Sequence, residues 1–113
     1  MAHTAWTVRA LRGLGLDRAD ITREVIALPA LVRGVATTHA EELAAARASG
    51  QTLDAWWNAR GAAFTEVVAG DGLADLALLR QDASADFTAL FEYGLARHLD
   101  GLATLVRRTR DHR

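Results

Sequence analysis

FTALFEYGLARHLDGLATLV, Phe87 to Val106, is the stretch that decides the fold. At about 100° of rotation per residue, Phe87, Phe91, Leu95, Leu99, Leu102 and Val106 fall on one apolar helical stripe. Leu90, Gly94, His98, Gly101 and Leu105 extend that stripe sideways to about half of the helix circumference. A helix lying on a single core needs a stripe nearer 100° wide, so this one reads as a helix with two neighbours. Each helical glycine costs about 0.8–1 kcal/mol against alanine. Gly94 and Gly101, two turns apart, therefore mark a place where another helix comes close.

Working outward from this stretch, no segment alternates apolar and polar residues as a half-buried strand does, and glycines punctuate the chain into four or five helical segments. The fold class is all-α, an antiparallel helical bundle. The pattern predicts a first helix over Thr4 to Leu11 that ends near Gly13 or Gly15, followed by an Asp17 N-cap with Asp20 in the positive first turn. A second helix runs from Arg18 to about Ala48, where Ser49 and Gly50 stop it; Pro29 removes one backbone donor inside it and bends it. Thr52 caps a third helix to about Ala69, the Gly70, Asp71, Gly72 turn leads into a short helical stretch from Leu73 to Arg80, and Ser84 caps a last helix from Ala85 to Arg108.

Composition narrows the function classes. The chain has 113 residues, 50% hydrophobic and 24% charged, which fits one soluble globular domain with a sizeable core. No apolar run approaches the roughly 20 residues that span a bilayer, and the N-terminus lacks the pattern of a secretory signal, so a cytoplasmic location without membrane contact is expected. The net charge of −1 gives no electrostatic basis for a long nucleic-acid surface. The basic cluster Arg107, Arg108, Arg110 and Arg113 is placed where cations complement the negative end of the last helix. There is no cysteine, which excludes disulfides and thiol chemistry.

The second helix repeats the doubling seen in the last. Ile21, Val25, Leu28, Val32, Val35, His39 and Leu43 make a core stripe, while Ala27, Ala30, Gly34 and Thr38 make a separate face of small residues. Either both extra faces pack inside one monomer, or the two long helices associate with their copies across a two-fold axis. The second arrangement, a homodimer through an intermolecular four-helix bundle, is the reading preferred here. It places Ala27, Ala30, Gly34, Thr38, Leu90, Gly94, His98 and Gly101 at the dimer interface. For His98 the open choices are a hydrogen bond across the axis or a local partner at the edge.

These helices also carry a family likeness. FEYGLARHLDGLATLV, Phe91 to Val106, resembles the closing helix of TetR-type regulator C-terminal domains, which shows an aromatic, a Gly-Leu pair and a Leu-Asp-Gly before an apolar end; Phe91, Gly94, Leu95, Leu99, Asp100 and Gly101 match. LRGLGLDRADI followed by LVRGVATTHAEEL is similar to the preceding elements, with Gly34 as the internal glycine and Glu41 and Glu42 two turns later. The resemblance implies an effector-sensing and dimerising domain of a transcriptional regulator, a repressor, whose two long helices form the dimer. It implies that DNA is contacted only by an N-terminal helix-turn-helix for which this chain has no room, so that the chain is a fragment or a short relative.

No catalytic constellation emerges: Ser49 and Ser84 sit at helix boundaries, where capping explains them, and enzyme activity is not expected. His39 and Glu42 have ligand-like spacing, but a structural zinc site needs four ligands and no second pair matches, so neither metal nor cofactor is expected. A ligand site is read from the third helix. There Leu53, Trp56, Trp57, Phe64, Val67 and Val68 form an apolar stripe with Arg60 near its centre. An arginine so placed must be paired or reach water. Two readings follow. Arg60 is a snorkelling or salt-bridged residue over a core helix, or it anchors a polar or acidic group on a small, mostly aromatic effector held by Trp56, Trp57, Phe64 and His39.

Overall fold

Asp17 sets the start of the longest helix. Its carboxylate Oδ1 accepts the Asp20 N–H at 2.8 Å, satisfying one of the donors that a helix start leaves free. Thr52 does the same for the next helix, its hydroxyl accepting the Ala55 N–H at 3.2 Å. The computed structural model describes residues 2–70, Asp75, Leu79 and 86–112. Four helices account for nearly all of them: α1 (Ala2–Arg12), α2 (Arg18–Ala48), α3 (Leu53–Gly70) and α4 (Phe87–Asp111), with no strand among the described residues.

The end of α2 is fixed by glycine chemistry. The Gly50 N–H donates to the Arg47 carbonyl at 3.0 Å and the Gln51 N–H to the Ala46 carbonyl at 2.9 Å, the paired bonds of a Schellman motif. That motif needs a left-handed residue, and Gly50 supplies it at φ 74°. Pro29 does not end α2, which runs through it without interruption. A proline inside a helix costs about 3 kcal/mol, so packing of the flanking residues has to offset it.

Two boundaries differ from the sequence reading. α1 begins at Ala2, before the expected Thr4, and α4 continues to Asp111, past the expected Arg108. The cap described at the start of α4 is Asp86, whose carboxylate accepts the Ala89 N–H at 3.0 Å. The expected Ser84 cap, the 71–72 part of the expected turn and the Leu73 to Arg80 stretch as a helix lie outside the described residues, as does Arg113.

The chain divides into two compact units. The first holds α1, the first half of α2 to Gly34, and α4 from Phe91 onward. Its core is Leu11, Leu16 and Val106, with Leu14, Ile21, Val25, Leu102 and Leu105 packed around them. Full burial of such side chains stabilises by about 1.5–3 kcal/mol each. The second unit holds the second half of α2 from Val35, α3, and the first turn of α4 to Leu90, where Ala46 and Phe87 are buried.

Not every residue of the expected core stripes is inside. On α2 the half-buried line runs through Ile21, Val25, Leu28, Leu31 and Val35, while Val32 is 42% exposed and His39 is exposed. On α4 it includes Phe91, Gly94, Leu95, His98, Leu102 and Leu105, and Leu99 is 46% exposed. The packed face of α4 is thus rotated toward Gly94 and His98. The reason is local: α2 itself approaches at Gly94, where a Cβ would stand only 3.3 Å from Leu31 Cδ1.

Candidate functional site

Helical spacing gathers a polar and aromatic cluster in the second unit. His39 and Glu42 sit one turn apart on α2, and Trp56, Trp57 and Arg60 occupy one turn of α3. Phe87, the first residue of α4, completes the group.

Glu42 is its electrostatic centre. One oxygen, Oε2, accepts both the Trp56 indole N–H at 2.8 Å and an Arg60 Nη1–H at 2.7 Å. The indole bond does most to hold the Glu42 carboxyl below its ordinary value of 4.5; partial burial pushes it back up, and the bond and charge of Arg60 lower it further. The Arg60 guanidinium also lies over two rings, 5.7 Å from the Trp56 centroid and 5.0 Å from that of Trp57. Its side chain remains 46% exposed, so the arginine spans the aromatic face and reaches water.

The aromatic part is nearly continuous. His39 stacks on Phe87 with centroids 4.6 Å apart and planes 12° from parallel, and Trp57 tilts against the same ring at 6.4 Å and 55°. The Trp57 Nε1 atom is buried and has no hydrogen-bond partner among the described residues. A buried donor without an acceptor costs about 1–3 kcal/mol.

Of the residues expected to bind a ligand, His39, Trp56, Trp57 and Arg60 belong to this cluster. Phe64 is half-buried on α3 but has no ring contact with them among the described residues. Val67 is 49% exposed, away from the packed side of α3. Two members were not selected from the sequence for this site. Phe87 had been placed in the core stripe of the last helix, which its burial at 8% exposure supports, but its ring partners come from α2 and α3. The sequence pairs Glu42 with His39 at ligand-like spacing and counts it in the family likeness, whereas its engaged oxygen serves Trp56 and Arg60. The signal that finds it is the pair of unmatched donors on α3, an indole and a guanidinium, which together require an acid.

The residues expected at a dimer interface divide into two sets. Ala27, Ala30, Gly34 and Thr38 on α2 and Leu90 and Gly101 on α4 are exposed in the single chain, and a Cβ on Gly34 or Gly101 would meet nothing within 4 Å. Gly94 and His98 have contacts inside the single chain. Gly94 is the close approach of α4 to Leu31. His98 Nε2 pairs with Glu24 Oε1 of α2, the local alternative for that histidine.

No helix among the described residues is long and apolar enough to cross a membrane. Among the same residues no group of three histidine, aspartate or glutamate side chains is arranged to hold a metal ion. No family model matches the chain, and no match to it was found among curated proteins or solved structures.

Proposed function

We propose that this chain is the effector-binding and dimerisation domain of a TetR-like transcriptional repressor, acting in the cytoplasm on a small, mostly aromatic ligand. The observation that carries the reading is the unsatisfied Trp57 indole N–H inside the His39, Trp57 and Phe87 ring cluster. Apolar rings supply the contact area, and one buried donor supplies orientation, the usual division of labour in a small-molecule site. Glu42 holds Arg60 and Trp56 in place, so the effector contributes a hydrogen-bond acceptor to Trp57 rather than a full countercharge to Arg60. In this reading the exposed small-residue face of α2 meets a second copy, the ligand favours one spacing of the two copies, and a separate helix-turn-helix contacts DNA.

Emission from the tryptophans tests the ligand half of the proposal. A panel of bicyclic aromatic amides, with the matching hydrocarbons as controls, is titrated against the chain and against Trp57→Phe. The proposal expects saturable quenching by the amides, weaker binding of the hydrocarbons, and loss of that difference in Trp57→Phe. Amides and hydrocarbons binding alike would refute it. A second reading, a helical dimerisation module with no ligand, is favoured by the Arg60 pairing with Glu42, and an absence of quenching by the whole panel supports that one.

A further inference from the structure

The first unit contains a second concave surface, independent of the tryptophan cluster. α1 and α2 flank a groove of about 740 Å³, within the usual range for a small-molecule site. Val8 of α1, Leu16 of the connecting turn and Ile21, Val25 and Ile26 of α2 supply its apolar lining. Ile26 is 63% exposed and lines the groove.

The charges in this groove are segregated. Arg12 is the last residue of α1 and Arg18 the first of α2, so both guanidinium-bearing residues belong to the end of the groove where the chain turns. Among the described residues neither side chain is ion-paired with a carboxylate; the nearby acids are used elsewhere, Asp17 capping α2 and Asp20 pairing with Arg23. Val8 and Ile26 lie toward the other end, Ile26 being eight residues along α2 from Arg18, about 12 Å at the helical rise. Two arginines at one end and aliphatic side chains at the other match a molecule with one anionic head and an apolar body. Arginine recognises oxyanions such as carboxylates through paired, charge-assisted hydrogen bonds, which suits an anionic head.

We infer that the α1–α2 groove binds an amphipathic monocarboxylate, its head between Arg12 and Arg18 and an aliphatic body of about eight carbons along Val8, Val25 and Ile26. This site goes beyond the aromatic effector site and does not depend on it. The ligand is a free acid in solution, and the two ends of the groove make separable contributions to its binding.

Calorimetric titration of the intact chain with sodium octanoate and with 1-octanol tests the inference, with methyl NMR shifts of Val8, Leu16, Val25 and Ile26 locating the site. Saturable octanoate binding is expected, about tenfold tighter than 1-octanol, with shifts confined to those methyls. Replacing both arginines, Arg12→Met with Arg18→Met, should collapse the preference to near unity while helicity is kept. Ile26→Ser should weaken acid and alcohol alike. Trp57→Phe should leave both affinities unchanged, whatever becomes of the aromatic ligand. Equal binding of acid and alcohol, a preference that survives loss of both arginines, shifts located away from the groove, or no octanoate binding would each overturn the inference.

Discussion

Removing the Glu42 carboxylate by two different substitutions separates its roles. Glu42→Ala takes the acceptor from Trp56 and from Arg60 together. The Trp56 ring is half-buried, so its stranded N–H costs about 1–2 kcal/mol, the lower part of the usual range for an unsatisfied donor. The Arg60 pair is open to solvent on both sides, at 46% and 21% exposure, and adds only about 0–1 kcal/mol. Glu42→Gln keeps an amide oxygen for the indole and gives up only the charge, a loss below about 1 kcal/mol. With about 4–8 °C of melting temperature per kcal/mol in small domains, Glu42→Ala should melt roughly 4–24 °C below the parent, and Glu42→Gln less than about 8 °C below it. Thermal unfolding followed by circular dichroism at pH 7 reads the difference. The pH dependence has a definite sign. Because the folded-state carboxyl is held below 4.5, its contribution is present above that pH and is lost as pH falls through the lowered folded value. Glu42→Gln should therefore flatten the acid limb of the stability curve. Equal melting of the Ala and Gln variants, or an acid limb unchanged in Glu42→Gln, would refute this account of the cluster.

Substitutions at three glycines probe the helices. Gly50→Ala should lose about 1–2 kcal/mol in denaturant unfolding, because a Cβ is strained at φ 74° even though no neighbour obstructs it. At Gly94, alanine should be close to neutral, since its Cβ crowds only the movable end of Leu31 while helix propensity improves by about 1 kcal/mol, whereas leucine should destabilise by about 1–3 kcal/mol; the same unfolding assay compares them. Gly101→Leu should leave helicity intact, because a Cβ there meets nothing within 4 Å in the chain, yet weaken self-association measured by sedimentation at least tenfold.

Local chemistry made much of the fold legible. Asp17, Thr52 and Gly50 each carry a bond pattern set by a few neighbouring residues, and the helices they bound begin or end where those residues indicate. The rotation of α4 was less accessible. A stripe half a circumference wide does not say which edge meets its own chain, and the Leu31 approach to Gly94 and the Glu24 partner of His98 are tertiary facts. The candidate site was half legible for the same reason. Trp56, Trp57 and Arg60 share a turn and stand out in one helix, but Glu42 is eighteen residues from Arg60 and Phe87 comes from a different helix. His39 shows the opposite error: periodicity placed it in the core, whereas it is an exposed ring stacked on Phe87.

The proposed function makes this chain one half of a dimeric sensor. Val32, Tyr93 and Leu99 are 42%, 64% and 46% exposed, and Ala27 and Ala30 of α2 are exposed as well. Large apolar side chains left in water on two long helices are the usual mark of an interface. Sedimentation equilibrium of the intact chain at tens of micromolar, about the range in which a specific hydrophobic interface is populated, measures this directly. The account predicts a species of twice the 12.2 kDa chain mass, and a species that stays at 12.2 kDa throughout would contradict it.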